Sequence, residues 1–300
     1  CALGVGLDAL RRCKRNVRKD EMLQKDEKLQ KVLAREGVGS RREMERVIAA
    51  GRVQVNGKLA KLGDRVLHTD TVMVDGRKIK LQSPQSNPIR VILYNKPEGE
   101  ICSRSDPEGR KTVYERLPEL KGERWISVGR LDFNTSGLLL FTNNGELANK
   151  LMHPSSMIDR EYLVRIQGQV DDDMKQRLRD GVQLEDGTAK FSDVQDGSGD
   201  GSNRWFYCVV MEGRNREVRR LWESQGVKVS RLKRVRYGNI FIPSHVRVGQ
   251  WIELNHKEMS ELCVTAGVQA PRASPTSRQK DMDRDRHLKR LRAKGPRRRG

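Results

Sequence analysis

The sequence predicts an α+β protein built in two parts, a small unit of two helices plus a small sheet and a larger domain with a mainly antiparallel mixed sheet. Capped helical stripes give way to a hairpin signal within residues 26–82. After residue 89, short strands and helices intermix without the regular βαβ spacing of a parallel sheet. Between the two parts, residues 83–88 (SPQSNP) read as a polar, proline-bearing linker. At 300 residues the chain has room for about two compact domains with tails.

From Asp26, the apolar Leu29, Val32 and Leu33 recur at helical spacing, and Gly37 stands where a C-terminal cap belongs. Ser40 and Glu43 form a capping box that opens a second helix, with Met44, Val47 and Ile48 as its stripe and Gly51 at its close. Val53 and Val55 alternate around Gln54, Asn56-Gly57 is a strong hairpin signal, and Leu59 resumes on the far side. In the larger domain, expected over 89–265, residues 89–94 read as a strand entering a turn, Asn95-Lys-Pro-Glu-Gly99. Strands over 126–131 and 138–142 flank the polar loop Asp132-Phe-Asn-Thr-Ser-Gly137. A helix is predicted over 146–152, a strand over 161–166, and a helix over 171–180 with acids on its first turn and Gly181 at its end. A strand over 205–212 precedes a helix over 216–225 that turns Val218, Leu221 and Trp222 inward. Strands over 227–231 and 250–254 complete the domain.

Charge placement narrows the partner. Lys and Arg number 60 against 40 Asp and Glu, a formal net charge of +20. Residues 1–80 hold 20 basic and 11 acidic groups, residues 271–300 hold 12 and 3, and the 190 residues between hold 28 and 26. A near-neutral central domain with a basic attachment at each end is expected to bind a polyanion. The tail over 266–300 is Arg- and Lys-rich with little apolar content, so disorder is predicted there. It adds salt-sensitive RNA affinity or serves only solubility. On the small unit, Lys31, Arg35, Arg41, Arg42, Arg46, Arg52 and Lys58 are the expected RNA contacts. Arg41 and Arg42 open a helix whose dipole they oppose, which suits a phosphate site, although a solvated charged face reads the same way.

Other classes find little support. No run of eighteen apolar residues occurs, so no membrane-spanning helix is expected. The five cysteines (Cys1, Cys13, Cys102, Cys208, Cys263) are odd in number and include no C-x-x-C pair, which points to a reducing, cytoplasmic setting. The five histidines show no ligand spacing, and neither a metal nor another cofactor is expected. The apolar first ten residues precede the basic RRCKRNVRK, the reverse of a secretory signal. Residues 1–25 are expected to be an extra segment, disordered or artefactual, with Met22 as the natural start. Nothing marks a dimer seam, and a monomer is expected.

Three places carry candidate chemistry. Asp132 lies between two apolar strands, where a carboxylate is costly unless paired, although an Asp before Asn-Thr-Ser-Gly also serves as a turn former. Tyr162 begins a strand and alone reads as packing. The stretch Glu212-Gly-Arg-Asn-Arg-Glu-Val-Arg219-Arg is a polar loop entering an arginine-rich helix, fit for a phosphate or carboxylate or for solvent alone. Together they suit chemistry on RNA itself. An arginine-stabilised carboxylate can act on a sugar or base ring, and an aromatic face can stack on an extruded base.

Residues 28–35 (KLQKVLAR), 39–42 (GSRR) and 51–57 (GRVQVNG) resemble the S4 RNA-binding domain. The segments GRLDFNTSGLLL, REYLV and EGRNREVRR resemble the motifs of the pseudouridine synthases, in a form similar to the ribosomal small-subunit synthase A branch. The resemblance implies isomerisation of uridine: the N1–C1′ bond is cleaved, the base turns, and it is rejoined through C5. It makes Asp132 the catalytic aspartate, Tyr162 the ring that stacks on the target base and Arg219 the partner of Asp132. Val218 then lines the pocket with Arg130 and Asn134 beside it, and Arg214, Arg216 and Arg220 join the RNA contacts. In details such as Lys96-Pro-Glu-Gly-Glu100 the sequence is similar to synthases of the large ribosomal subunit, and that resemblance implies 23S ribosomal RNA as partner, free or in a pre-ribosomal particle, with 16S RNA as the alternative. A non-catalytic S4 protein of ribosome assembly explains the basic ends and leaves Asp132, Tyr162 and Arg219 without purpose as a set. A methyltransferase would need a glycine-rich nucleotide motif that the sequence lacks.

Overall fold

The computed structural model describes residues 26–82, 88–120, 122–199 and 203–271. The expected extra segment 1–25, linker residues 83–87 and the expected tail from 272 onward lie outside the described residues, whereas the tail's first residues, 266–271, are described, with Ala266, Val268 and Ala270 packed into an apolar cluster. The chain divides into two compact units, one running through Asn87 and including Leu120–Arg124, the other comprising Pro88–Glu119 and the chain from Trp125.

In the first unit, β1 (Glu27–Lys28) leads into α1 (Leu29–Arg35), and α2 (Arg41–Ala49) follows. The Ser40 hydroxyl accepts from the Glu43 N–H while the Glu43 carboxylate accepts from the Ser40 N–H, both at 3.1 Å. Such a box is worth about 1 kcal/mol and fixes where the helix starts. The hairpin follows as β2 (Val53–Val55) and β3 (Lys58–Leu59), with Asn56 and Gly57 at φ 51° and 81°, the left-handed pair that a tight primed turn demands. Four further residue pairs or triplets went unread in the sequence, because two or three residues show no period: β4 (Arg65–Val66), β5 (Val72–Val74) and β6 (Arg77–Ile79), besides β1. The sheet order is β3-β2-β5-β6, all antiparallel, with β1 and β4 paired separately. Leu29, Leu33, Ile48, Val53 and Val72 form its buried core.

The second unit holds β7 (Val91–Lys96), β8 (Ile126–Val128), β9 (Ser136–Thr142), β10 (Arg160–Gln167), β11 (Val182–Leu184), β12 (Gly187–Ala189), β13 (Asp193–Asp196), β14 (Asn203–Val210), β15 (Lys228–Tyr237), β16 (Ile240–Phe241) and β17 (Trp251–Glu253). Its helices are α3 (Gly145–Met152), α4 (Asp172–Asp180), α5 (Glu217–Glu223) and α6 (His256–Thr265). The large sheet runs β13-β14-β10-β15-β9-β7-β17, with β16 added to β15 and β8 to β9. Every pairing is antiparallel except β15 with β9, so the sheet is mixed and mainly antiparallel. One apolar cluster joins β7–β9 to α3 and α6 through Leu93, Leu140, Leu151 and Leu262. A second joins β10 and β14 to α4 and α5 through Val164, Phe206, Leu178 and Trp222.

Three differences from the expected elements matter for the site. The strand expected over 89–94 lies at Val91–Lys96, which brings Asn95 and Lys96 out of the turn and into the buried sheet. The strand expected over 227–231 extends to Tyr237, because two bulges against β10 let it bend rather than stop. Helix α6 was not anticipated, although Asn255 and Glu258 form a capping box like that of α2.

The parallel contact of β9 with β15 depends on Gly137. Its φ is +103°, and a Cβ there would lie 2.2 Å from the Arg234 carbonyl oxygen. Gly137→Ala is therefore expected to cost at least about 3 kcal/mol, read as a lowered urea midpoint of unfolding.

Candidate active site

The loop between β8 and β9 carries Asp132, and its path is fixed by main-chain acceptors. The Thr135 N–H donates to the Asp132 carbonyl at 3.1 Å, closing a turn. Lys96, fully buried at the end of β7, donates from Nζ to the carbonyls of Pro97 (2.9 Å), Asp132 (3.1 Å) and Thr135 (2.9 Å). From the other side Arg219 on α5, also buried, donates through Nη2 to the Asn134 carbonyl (2.9 Å) and through Nη1 to the Val229 carbonyl (3.1 Å). The Leu131 N–H meets Cys102 Sγ at 3.3 Å. Carbonyls 132, 134 and 135 are thus all held by two buried cations. Burial pushes the Lys96 ammonium below its ordinary value, an effect that nearby Cys102, Glu100 and Asp132 oppose. Burial and the Arg216 charge likewise lower Arg219, and Asp132 again opposes the shift.

Asp132 itself is half-buried and opens onto a cleft of about 600 Å³ lined also by Arg130, Thr135, Arg160, Tyr162, Val218 and Arg234. Lining arginines 130, 160, 214, 216 and 234 outnumber the carboxylates Asp132, Glu212 and Glu217, so the cleft is positive. Arg160 donates to the carbonyls of Met211 (2.8 Å) and Glu212 (2.9 Å), and its guanidinium lies 5.2 Å from the Tyr237 ring. Arg234 faces the same ring at 5.3 Å and donates from Nε to the Leu138 carbonyl at 2.7 Å. Glu217, buried at the start of α5, accepts from the Arg214 N–H at 3.2 Å, and burial raises its carboxyl.

Of the residues singled out by sequence, Asp132, Arg130, Tyr162, Val218, Arg214 and Arg216 come together around this cleft. Asn134 contributes its carbonyl to Arg219 rather than a side chain to the pocket. The expected contact of Arg219 with Asp132 is absent: the guanidinium gives Nη1 and Nη2 to main-chain carbonyls, its Nε–H meets no partner among the described residues, and it interacts with Asp132 through space. Arg220 turns away to a bidentate pair with Asp186 (2.8 Å each), and Arg214 binds Glu212 at 2.6 Å. In the small unit, Lys31 and Arg35 both pair with Glu27, and Arg52 pairs with Asp75. Arg41, Arg42, Arg46 and Lys58 are exposed, with no ion pair to a described carboxylate. Sequence reasoning passed over Lys96, Arg160, Arg234, Tyr237 and Glu217. Arg160 was within reach, since a residue two before Tyr162 on a strand shares its face.

The RNA pseudouridylate synthase model matches residues 90–224, and the S4 domain model matches residues 27–72. The Escherichia coli O157:H7 protein named ribosomal large subunit pseudouridine synthase B is 59% identical over 231 residues, covering 76% of this chain and 80% of that one. The chain belongs to the RNA pseudouridylate synthase family. The similarly named Pseudomonas aeruginosa protein is 59% identical over 243 residues, 81% of this chain, which spans 63% of that relative's length. A crystal structure of a pseudouridylate synthase shares the fold, with a TM-score of 0.56 at 24% identity over 78% of this chain and 99% of that one. Within the family fold, the Asp132 loop and the start of α5 meet across the parallel β9–β15 junction.

The loop anchors and the buried acid give separable expectations for this synthase-family domain. Lys96→Met strands three buried carbonyls and should lower stability by about 3 kcal/mol in urea denaturation. Glu217 has a raised folded-state pKa, so it favours the fold less as pH rises from its unfolded value toward its folded one. Glu217→Gln removes that loss. The variant's thermal midpoint should match the parent near about pH 4 and exceed it at about pH 7, and an equal difference at both would exclude this linkage.

Proposed function

We propose that this protein is an RNA pseudouridine synthase acting on a uridine of 23S ribosomal RNA, with Asp132 as the catalytic carboxylate. The observation that carries the reading is the half-buried Asp132, its carbonyl held by Lys96 and its loop held at Asn134 by Arg219, lining one positive cleft with Tyr162. A volume of about 600 Å³ accommodates one extruded nucleotide. The relatives' names, which say ribosomal large subunit, support the choice of 23S RNA, and the S4 unit with its unpaired Arg41, Arg42 and Arg46 supplies a second hold on the RNA.

The chemistry is a redox-neutral isomerisation. The N1–C1′ bond breaks, a C5–C1′ bond forms, C5 loses its proton and N1 gains one, so no co-reactant is consumed. The chain's residues divide the work. Lys96 and Arg219 fix the loop that carries the Asp132 carboxylate, by its carbonyls at 132, 134 and 135. The Tyr162 ring supplies a stacking face, and Arg130 and Arg216 lie where flanking phosphates can be neutralised. Arg160 and Arg234, fixed by carbonyls and by the Tyr237 ring, hold the cleft wall rigid, so that a loosened base stays close to C1′. The free thiols among the described residues (Cys102, Cys208, Cys263) agree with a cytoplasmic setting.

Asp132→Asn should abolish pseudouridine formation on 23S RNA transcripts, mapped by carbodiimide-stopped primer extension, and leave RNA affinity within about twofold, since one neutralised acid removes no phosphate contact. A parent protein that binds 23S and 16S transcripts tightly and modifies neither would favour the assembly-factor reading.

A further inference from the structure

The two faces of the sheet around β10 are covered unequally. Val164, Ile166, Phe206, Cys208 and Leu232 pack into the apolar cluster with α4 and α5. The alternate residues of the same strands point the other way. Leu163 stands opposite Tyr207 on one side and Lys233 on the other, and Arg165 stands between Trp205 and Arg231. Leu163, Trp205 and Tyr207 belong to neither apolar cluster of this unit. Tyr207 is 39% exposed and Phe241 60% exposed, and with Lys233 they line a groove of about 300 Å³.

The charge on this face is one-sided. Arg165, Lys228, Arg231 and Lys233 make no ion pair with a described carboxylate, while the nearby Glu161 is already bound by Arg236 at 2.6 Å and Asp193 by the Gln195 amide at 2.7 Å. Aromatic rings set among unbalanced cations match bases that stack and phosphates that run alongside. A duplex hides its base faces, so the ligand this surface fits is single-stranded. The chain's own tail suits it poorly, since residues 271–300 carry 12 basic against 3 acidic groups.

We propose that this face of β14, β10 and β15 is a further RNA-binding surface, distinct from the cleft and from the S4 unit, which takes a single-stranded stretch of the RNA whose uridine enters the Asp132 cleft. It rests on the preceding reading only in taking RNA as the ligand. Because the surface lies on the side of the sheet opposite Val164 and Leu232, it holds RNA without crowding the cleft.

The test uses the full chain and an oligouridylate of about 16 nucleotides carrying 4-thiouridine, a length that spans such a platform. After irradiation and proteolysis, crosslinked peptides should include the one containing Tyr207. In fluorescence anisotropy, Tyr207→Ala should weaken binding about tenfold and Tyr207→Phe should bind like the parent, because the ring and not the hydroxyl is used. Arg165→Glu with Arg231→Glu should weaken binding and flatten its logarithmic salt dependence by about 1.4, the value for two phosphates of a single strand. On 23S transcripts the same pair should raise KM and leave kcat unchanged. Crosslinks confined to the cleft and the small unit would overturn the proposal, as would parent-like affinity and salt slope in the arginine pair. A parent protein that crosslinks through the Tyr207 peptide and forms no pseudouridine on 23S RNA would sink the enzyme reading and leave this surface standing.

Discussion

The site depends on two buried cations that bind main chain instead of carboxylates. Lys96 and Arg219 arrive from β7 and α5 and together hold the carbonyls of residues 132, 134 and 135. A buried ammonium or guanidinium is costly; three carbonyls satisfy the Lys96 donors and two carbonyls take Nη1 and Nη2 of Arg219, whose Nε–H has no partner among the described residues, and neither set cancels the charge. The surplus positive charge is what Asp132 answers. The placement of the acid is then a structural matter, since the loop that carries it is built around the two cations.

The loop sits at the parallel junction of an otherwise antiparallel sheet. It joins β8 to β9, an antiparallel pair, and β9 lies in the sheet between β15 and β7. There it receives Arg219 from α5, which precedes β15 in the chain. Gly137 is the local condition of that junction, because any side chain would strike the Arg234 backbone.

Much of the fold could be read from periodicity and caps. Ser40, Glu43, Asn56 and Gly57 announced their structures because each acts on its immediate neighbours. Asp132, Tyr162 and Val218 were legible as a set through motif resemblance and do line one cleft. Lys96 was illegible. A lysine that ends an apolar run before proline reads as a strand leaving the core, and only tertiary packing reveals the carbonyls around it. Arg234 was hidden by parity, since the register shifts at Glu161/Tyr162 and Arg165/Ile166 break the alternation that would have assigned its face. The Asn255–Glu258 cap was visible but its stripe, Met259, Leu262 and Cys263, lies among charged and hydroxyl residues that masked it.

The ion pairs also change what the net charge means. A formal +20 suggests a uniformly adhesive surface, yet Lys31, Arg35, Arg52, Arg214, Arg220 and Arg236 are each matched to a carboxylate. Such cations shape the protein and project little field, because the partner's charge cancels theirs within a few ångströms. Those left unmatched among the described residues, including Arg41, Arg42, Arg46, Lys58, Arg130, Arg216, Arg165 and Arg231, are the ones whose counterions RNA can displace, and they fall on the second helix, the hairpin, the cleft and the outer face of β10 and β15. Among the described residues, it is this unmatched subset, and not the full count of cations, that can contribute to a salt dependence of RNA binding.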